Sequence, residues 1–575
     1  MSTIGRASLI DILRWRANNQ PDQLAYRFLA DGEFDEVVLN YKDLDRLARS
    51  IAGLLQSSTT AGDRILLLFP PGLEFIAAYF GCLYAGVIAI PAYPPHPARL
   101  ERTLPIILGI VADATPTVAL MTSSLFEVIT SRHEISTEFA KIKLLVTEST
   151  EMDDWSEKWQ QPEIGANDIA FLQYTSGSTT TPKGVMVSHG NLLHNLGLIE
   201  KCVGQSGERQ AVIWLPPYHD MGLIGGILQP LYSGFPVTLM PHLMFLQKPY
   251  RWLQAISRFR ATASSAPNFA YDLCISKIKP AQRELLDLST WEVAFNGAEQ
   301  VYHKTLNQFA DYFAPCGFRR EAFLPCYGLA EATLLVIGGP KARSPVIRHL
   351  VSSGLEQNRV IISPTSCEDT RTLVSSGRDS GDQKVRIINA ETMTRCAEDQ
   401  VGEIWVSGPS VARGYWNKPA ETELTFEARL SNNGEGPFLR TGDLGFMHER
   451  ELYITGRLKD LIICDGNNHY PSDIEKTVES SHPAIRPAGC AAFSINNSAS
   501  ERLIIIAEIE QRPLVKADEI IKAIQKAVSL HHDLRIDDIM LTKAGSIPRT
   551  FSGKIKHYLC KTNYLTGTLK EITLT

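Results

Sequence analysis

Early in the chain the apolar positions follow two alternating patterns. From Tyr41 to Gln56 and from Leu73 to Gly86 they recur at helical spacing, whereas Arg64-Ile-Leu-Leu-Leu-Phe and Val87-Ile-Ala-Ile-Pro are short unbroken runs. Unbroken Val, Ile and Leu runs set between helices suit strands buried on both faces; a one-sided sheet would alternate apolar with polar residues. The pattern predicts an α/β fold with a parallel sheet covered by helices. After Val401 the texture changes. Glu403-Ile-Trp-Val, Glu451-Leu-Tyr-Ile-Thr and Arg502-Leu-Ile-Ile-Ile-Ala-Glu-Ile read as strands separated by Gly and Asn turns, and Lys516 to Ser529 reads as a helix. A boundary near Gly456 to Asp460 divides a large unit, residues 1–458, from a small α+β unit, residues 459–575.

Composition narrows the function classes. The 575 residues are 44% hydrophobic and 21% charged, with net charge -6, so no global basic field is available to hold nucleic acid. Ten cysteines are scattered singly without a CxxC pair, and no His cluster has zinc-ligand spacing. That argues against a disulfide framework or structural metal and fits a cytoplasmic chain. No apolar run approaches the ~18 residues of a membrane span, and the amino terminus lacks a long apolar segment of the signal-peptide kind.

The most informative stretch is Tyr174-Thr-Ser-Gly-Ser-Thr-Thr-Thr-Pro-Lys-Gly-Val, set between the apolar runs Ile169-Ala-Phe-Leu and Val185-Met-Val. Hydroxyls and backbone N–H groups of Thr175, Ser176, Gly177, Ser178 and Thr179 can wrap phosphate oxygens, with Lys183 offsetting their charge. It is not a Walker A loop. A Ser/Thr surface turn would account for the hydroxyls alone. Near the carboxyl end, Phe551-Ser-Gly-Lys-Ile-Lys presents Lys554 after a tight Gly turn. A lone Lys is usually solvated surface. Between these stretches lie Arg440-Thr-Gly-Asp-Leu-Gly and Thr455-Gly-Arg-Leu-Lys-Asp.

In that order the motifs resemble the adenylate-forming superfamily of acyl-CoA synthetases, peptide-synthetase adenylation domains and luciferases, from about Leu9 to Lys556. The resemblance implies a large N-terminal adenylate-forming domain and a small mobile C-terminal one. It implies ATP as substrate and Mg2+ held by Glu331. It places Asn296 and then Gly297, Ala298 and Glu299 along the adenine site, with Tyr327 and Gly328 supplying the aromatic wall. Asp443 and Arg457 would bind the ribose hydroxyls, Lys459 would be the hinge, and Lys554 would contact the reacting carboxylate and α-phosphate. Thr180 stands where many members have Gly, and that departure, with Trp214-Leu-Pro-Pro-Tyr-His-Asp-Met-Gly-Leu and Asn468-His-Tyr-Pro-Ser-Asp-Ile-Glu, resembles the fatty acyl-AMP ligases. His219 joins Lys183 and Lys554 as a catalytic candidate on the same ground. The subset's inserted segment would be residues 348–373, although an ordinary surface hairpin suits that sequence equally. Its acceptor would be a separate holo-acyl carrier protein of a polyketide or non-ribosomal peptide pathway rather than coenzyme A.

Acid specificity is less legible. Met221, Gly222, Leu223 and Ile224, with Ala266 and Asn268, form apolar or small stretches that could wall an acyl channel or equally fill a core. Asp220 keeps an amino-acid-activating domain open, because in that class an Asp pairs with the substrate ammonium. A long-chain acyl-CoA synthetase and a non-catalytic binding protein of the same fold are further alternatives. The chemistry itself follows from the substrates: a carboxylate attacking the α-phosphate of ATP is a reaction between two anions and needs fixed positive charge at the forming bond.

Overall fold

Two sheets with parallel centres share one helical layer. The computed structural model describes residues 8–95, 100–148, 152–175, 182–204, 209–367, 369–379, 381–464, 467–497, 500–510, 516–549 and 554–571. The six-stranded sheet runs Lys143–Val146, Val118–Met121, Arg64–Leu68, Ile88–Ala92, Ile169–Thr175, Lys183–Ser188, all parallel except the last. The eight-stranded sheet runs Leu335–Gly338, Phe323–Gly328, Val293–Asn296, Ala263–Ala266, Ala211–Ile213, Val237–Leu239, Leu24–Leu29, Glu36–Asn40, with both edge strands antiparallel. Antiparallel edges on a parallel sheet are common, because an edge needs no crossover helix to reach it.

The helix Leu73–Ala85 explains how the sheets share a core. It is apolar on every side and buried at each residue but Glu74, and its cluster includes Ile65 and Phe171 of one sheet and Ile213 and Val237 of the other. A helix without a polar face belongs in the interior. Gly81 lets it lie close to the helix Tyr41–Gln56, since a Cβ there would stand 2.5 Å from Ile51 Cγ2. Asn40 starts that second helix, its side chain accepting from the Asp43 amide at 2.7 Å.

Further along, a five-stranded antiparallel sheet carries Leu439–His448 paired with Glu451–Arg457. The segment expected as an insertion forms a three-stranded antiparallel sheet of Ile362–Ser363, Ile347–Val351 and Thr370–Val374 with the short helix Ser352–Glu356. After the 3-10 turn Leu458–Asp460 comes a separate core, in which the strands Ile485–Asn497, Ser500–Ile509 and Asp538–Lys543 are covered by the helices Pro471–Ser481 and Ala517–His532. A cluster including Leu350, Leu355, Leu373, Phe446 and Tyr470 joins the three-stranded sheet to both sides of that turn. No helix among the described residues is long and apolar enough to cross a membrane.

Candidate active site

The carboxyl ends of parallel strands open onto a cavity of ≈ 1670 Å³, where ligands of open α/β sheets bind. From the eight-stranded sheet come Ala298, Tyr327, Gly328 and Glu331, together with His219, Asp220 and Met221 beyond Ala211–Ile213; the five-stranded sheet adds Thr441, Gly442 and Arg457; the small unit closes the opening with Gly545 to Arg549 and Lys554 to Leu559. Lys459 lies on the wall where the two units meet.

Register creates the first constellation. Asp443 faces Arg457 across the antiparallel pair, and Arg457 Nε donates to Asp443 Oδ1 at 2.7 Å. Tyr327 Oη donates to the other oxygen, Oδ2, at 2.7 Å, although Tyr327 lies on another sheet. Asp443 holds the Arg457 guanidinium above its ordinary pKa. Burial first, and Asp443 second, push the Tyr327 hydroxyl well up, so it stays a proton donor. A carboxylate has about four lone-pair positions, so this triad still leaves Asp443 capacity for two ribose hydroxyls.

Charge gathers around Lys554. It remains open to solvent through the cleft. Burial of the surrounding space lowers its pKa and Arg457 adds to the depression, while Asp220, Glu299 and Asp443 oppose it. Three carboxylates and one guanidinium from the large unit thus act on a lysine of the small one. Glu299 accepts from the Phe269 amide at 2.6 Å, and burial raises its pKa. Asp220 Oδ1 lies 2.6 Å from His219 Nδ1 and accepts from the Met221 amide at 2.7 Å. Burial works against the Asp220 charge, but His219 and that amide outweigh it and bring the carboxyl below its ordinary value. An Asp already engaged by His219 is poorly disposed to receive an ammonium group.

Lys183 lies over the Tyr415 ring, 4.9 Å from its centroid, and pairs with Glu421. Tyr415 Oη in turn donates to Glu331 at 2.8 Å. Glu331, Tyr415 and Lys183 form one connected wall of the cavity. Tyr415 and Glu421 were not singled out from sequence; the signal available was the run Ala412-Arg-Gly-Tyr-Trp before Pro419, whose distance from both partners along the chain hides its role. A single carboxylate such as Glu331 suits a hard divalent cation that takes most of its oxygens from phosphate and water. Among the described residues no group of three or more His, Cys, Asp or Glu could hold a metal by itself.

Several expected residues fall elsewhere. Ser176, Gly177, Ser178 and Thr179 lie outside the described residues, and of Thr175 only its backbone place opposite Lys183 is described. Gly297 packs on Cys326, where a Cβ would stand 2.7 Å from Sγ. The residues expected along an acyl channel divide between the cavity and the core. Met221 lines the cavity, but Leu223, Ile224 and Ala266 are fully buried in the core, and Gly222 is pressed on the backbone of Pro216, where a Cβ would meet the carbonyl oxygen at 2.0 Å. Asn268 is structural, donating to Thr305 at 3.0 Å and accepting from the Tyr302 amide at 3.1 Å. For Gly222, Leu223 and Ile224 the reason is the π-helix Met221–Leu228, whose wider turn brings Gly225 rather than Gly222 to the cavity. From Met221 the apolar part of the cavity continues past Gly225, Ile213, Phe295, Leu334 and Leu335.

Residues 13–416 match the family described as AMP-binding enzyme, and residues 459–574 match the family described as Disco-interacting protein 2-like, AMP domain. The chain is 48% identical over 570 residues to the medium-chain-fatty-acid–[acyl-carrier-protein] ligase JamA of Moorena producens (strain JHB), covering 98% of this chain and 96% of the relative. It is similar to the crystal structure of fatty acyl-adenylate ligase from L. pneumophila in complex with acyl adenylate and pyrophosphate, at 43% identity and TM-score 0.77, covering 98% and 97% of the two chains. A structure from studies of fatty acyl-adenylate ligases from E. coli and L. pneumophila matches at 30% identity and TM-score 0.87, with 99% of each chain covered.

Proposed function

The chain belongs to the AMP-binding enzyme family, and we propose from that premise how its residues divide the work of a fatty acyl-AMP ligase. It is an acyl-AMP-forming ligase that uses ATP. A fatty-acid carboxylate oxygen attacks the α-phosphorus, one C–O–P linkage forms, the α–β phosphoanhydride breaks, and pyrophosphate leaves with its electron pair. No proton is consumed, so the protein's task is positioning and charge.

The observation that carries this reading is that Lys554, Asp220 and Arg457 line one cavity with an apolar extension, where the nearby carboxylates of Glu299 and Asp443 also act on the lysine. Lys554 would neutralise charge between the carboxylate and the α-phosphate. Asp443 and Arg457 would receive the ribose, with Tyr327 between them and the adenine. Lys183 would leave Glu421 for the β- and γ-phosphates. Glu331, oriented by Tyr415, would hold Mg2+, which supplies further neutralisation of the phosphates when bound. His219 would keep Asp220 ionised and turned from the acyl group. Lys459 would be the pivot between units divided at 458/459.

The substrate class we favour is a medium-chain fatty acid, as named for the JamA relative, with a holo-acyl carrier protein acting in trans as acceptor. A polyketide or non-ribosomal peptide assembly line would supply such a carrier, and ten free cysteines accord with the reducing cytoplasm. Segment 348–373 would restrain the small unit from the pose that accepts coenzyme A. Arg371 supports that: its Nε lies 2.9 Å from Asp473, its guanidinium covers the Tyr470 ring at 4.4 Å, and it donates to the Thr455 carbonyl at 2.8 Å. The test is ATP–pyrophosphate exchange with fatty acids and amino acids, followed by mass-spectrometric identification of products with coenzyme A or holo-carrier. Exchange driven by amino acids and not by fatty acids would overturn the reading.

A further inference from the structure

The cavity changes character at its far end. Past Ile213, Phe295 and Leu335 it reaches the amino ends of the same strands, at Ala211, Thr262 and Val293. There the lining includes Glu200, Arg209 and Gln229. Arg209 Nη1 donates to both Glu200 oxygens at 2.9 Å, and its other nitrogen donates to the Gly204 carbonyl. Gln229 Nε2 donates to Ser233 at 2.8 Å and to Glu200 at 3.4 Å, and Ser233 itself donates to Glu200. Glu200 is thus knitted to Arg209 and to two side chains of the helix Gln229–Ser233, and the Arg209 side chain is only 9% exposed. Gln229 is 5% exposed, and its Oε1 is buried with no protein partner.

From these contacts we infer that the Glu200–Arg209–Gln229 cluster is the floor of the acyl channel and sets the longest acid the enzyme activates. The inference rests on the fatty-acid reading of the cavity. An apolar chain gains by leaving water along the upper wall, and the gain grows with each methylene buried. At the floor the balance reverses. A methyl terminus pressed on the cluster would strip water from the partly exposed Glu200 side of the ion pair, which is costly. A longer chain could advance only by parting Arg209 from Glu200.

The reach can be bounded from the strands. Val293 and Ala298, both on the wall, are five residue steps apart, at most about 17 Å at ~3.3 Å per step. Each step holds three backbone bonds, so an extended alkyl chain of about fifteen bonds spans the same distance at most. Octanoate falls well inside this bound and stearate outside it.

The experiment measures kcat/KM for adenylation of hexanoate through stearate by wild type and by the double variant Glu200→Ala/Arg209→Ala, which removes both charges together so that neither is left buried alone. Wild type should favour the shorter acids. The variant should raise the stearate-to-octanoate ratio at least tenfold, with octanoate adenylation little changed. An unchanged ratio in a folded double variant overturns the inference. Should the variant not fold, Ala211→Met, which fills space just above the floor, decides: its optimum should move to shorter acids, and an unmoved optimum overturns the inference equally. Wild type that activates no fatty acid at all would instead overturn the substrate reading, so the two failures are distinguishable.

Discussion

Replacing Lys554 by Ala removes one cation from the loop that faces three large-unit carboxylates and Arg457. Acyl-adenylate formation should fall by about 10²–10³, the scale seen when one preorganised stabilising group is lost, with no change in thermal midpoint. Near-normal yield from a folded variant would exclude Lys554 from the chemistry. Asp443→Ala has a double effect, because Asp443 accepts from both Tyr327 and Arg457 at 2.7 Å. ATP affinity should drop roughly tenfold or more while fatty-acid affinity holds, and stability should fall by only about 1 kcal/mol, because the half-buried Tyr327 and the exposed Arg457 can turn to water when they lose their acceptor. Titration calorimetry with each ligand and a denaturation curve check both parts. These residues were legible in the sequence because each stands in a short motif of fixed order. The contacts that orient the site were not: Tyr327 meets Asp443 across 116 residues, and Tyr415 meets Glu331 across 84, distances at which sequence spacing says nothing.

Helices with a marked period or a clear cap were readable as elements; Tyr41–Gln56 begins and ends where its apolar spacing does. The π-helix Met221–Leu228 was not, since its apolar run lacks polar positions to reveal which residues face the cavity, and Gly222, Leu223 and Ile224 turn away from the cavity for that reason. The helix Pro471–Ser481 shows a contact of the same hidden kind. Glu475 Oε1 lies 2.6 Å from His557 Nε2, at the start of His557–Leu565, and also accepts from the Ala492 amide at 3.0 Å. Burial lowers the imidazole's pKa, but Glu475, with Asp460 behind it and Lys459 opposing, outweighs burial and holds His557 above the ordinary value. A raised folded pKa contributes stability that is complete below about 6.5, the unfolded value, and is lost as pH rises through the folded one. Stability of wild type relative to His557→Gln should therefore shrink across that interval. Parallel pH–stability curves would refute the pairing, and because Lys554 is three residues away, adenylation should weaken in the variant as well.

Across the whole molecule, the division into two units was visible as a change of texture near Gly456, but the route by which segment 348–373 touches the small unit was not. It depends on Arg371 meeting Tyr470 and Asp473, a contact made by folding and unmarked by any local pattern. Arg371→Ala is a narrower test of restraint than deleting the segment. Acyl-CoA formation should rise severalfold, with first-turnover acyl-adenylate unchanged, because a mobile domain can gate one step and spare another. Single-turnover assays with coenzyme A and with holo-carrier separate the steps. Efficient acyl-CoA production by wild type would remove the role given to the segment.

The contacts across that joint have an additional consequence. Besides Arg371 and Asp473 they include His469 at 3.6 Å from Glu356 and Lys476 over the Tyr302 ring at 3.9 Å, so charged and polar contacts share the seam with the apolar cluster around Leu350, Leu373 and Tyr470. Screening shortens from about 8 Å at physiological ionic strength to about 3 Å in molar salt, and its effect is greatest on the more exposed pairs. Raising the salt concentration should loosen the seam by degrees while the separate cores, held by burial, stay folded. Ionic strength then becomes a dial on wild type: acceptor choice should drift toward coenzyme A as salt rises, and Arg371→Ala should respond less because part of its seam is already gone.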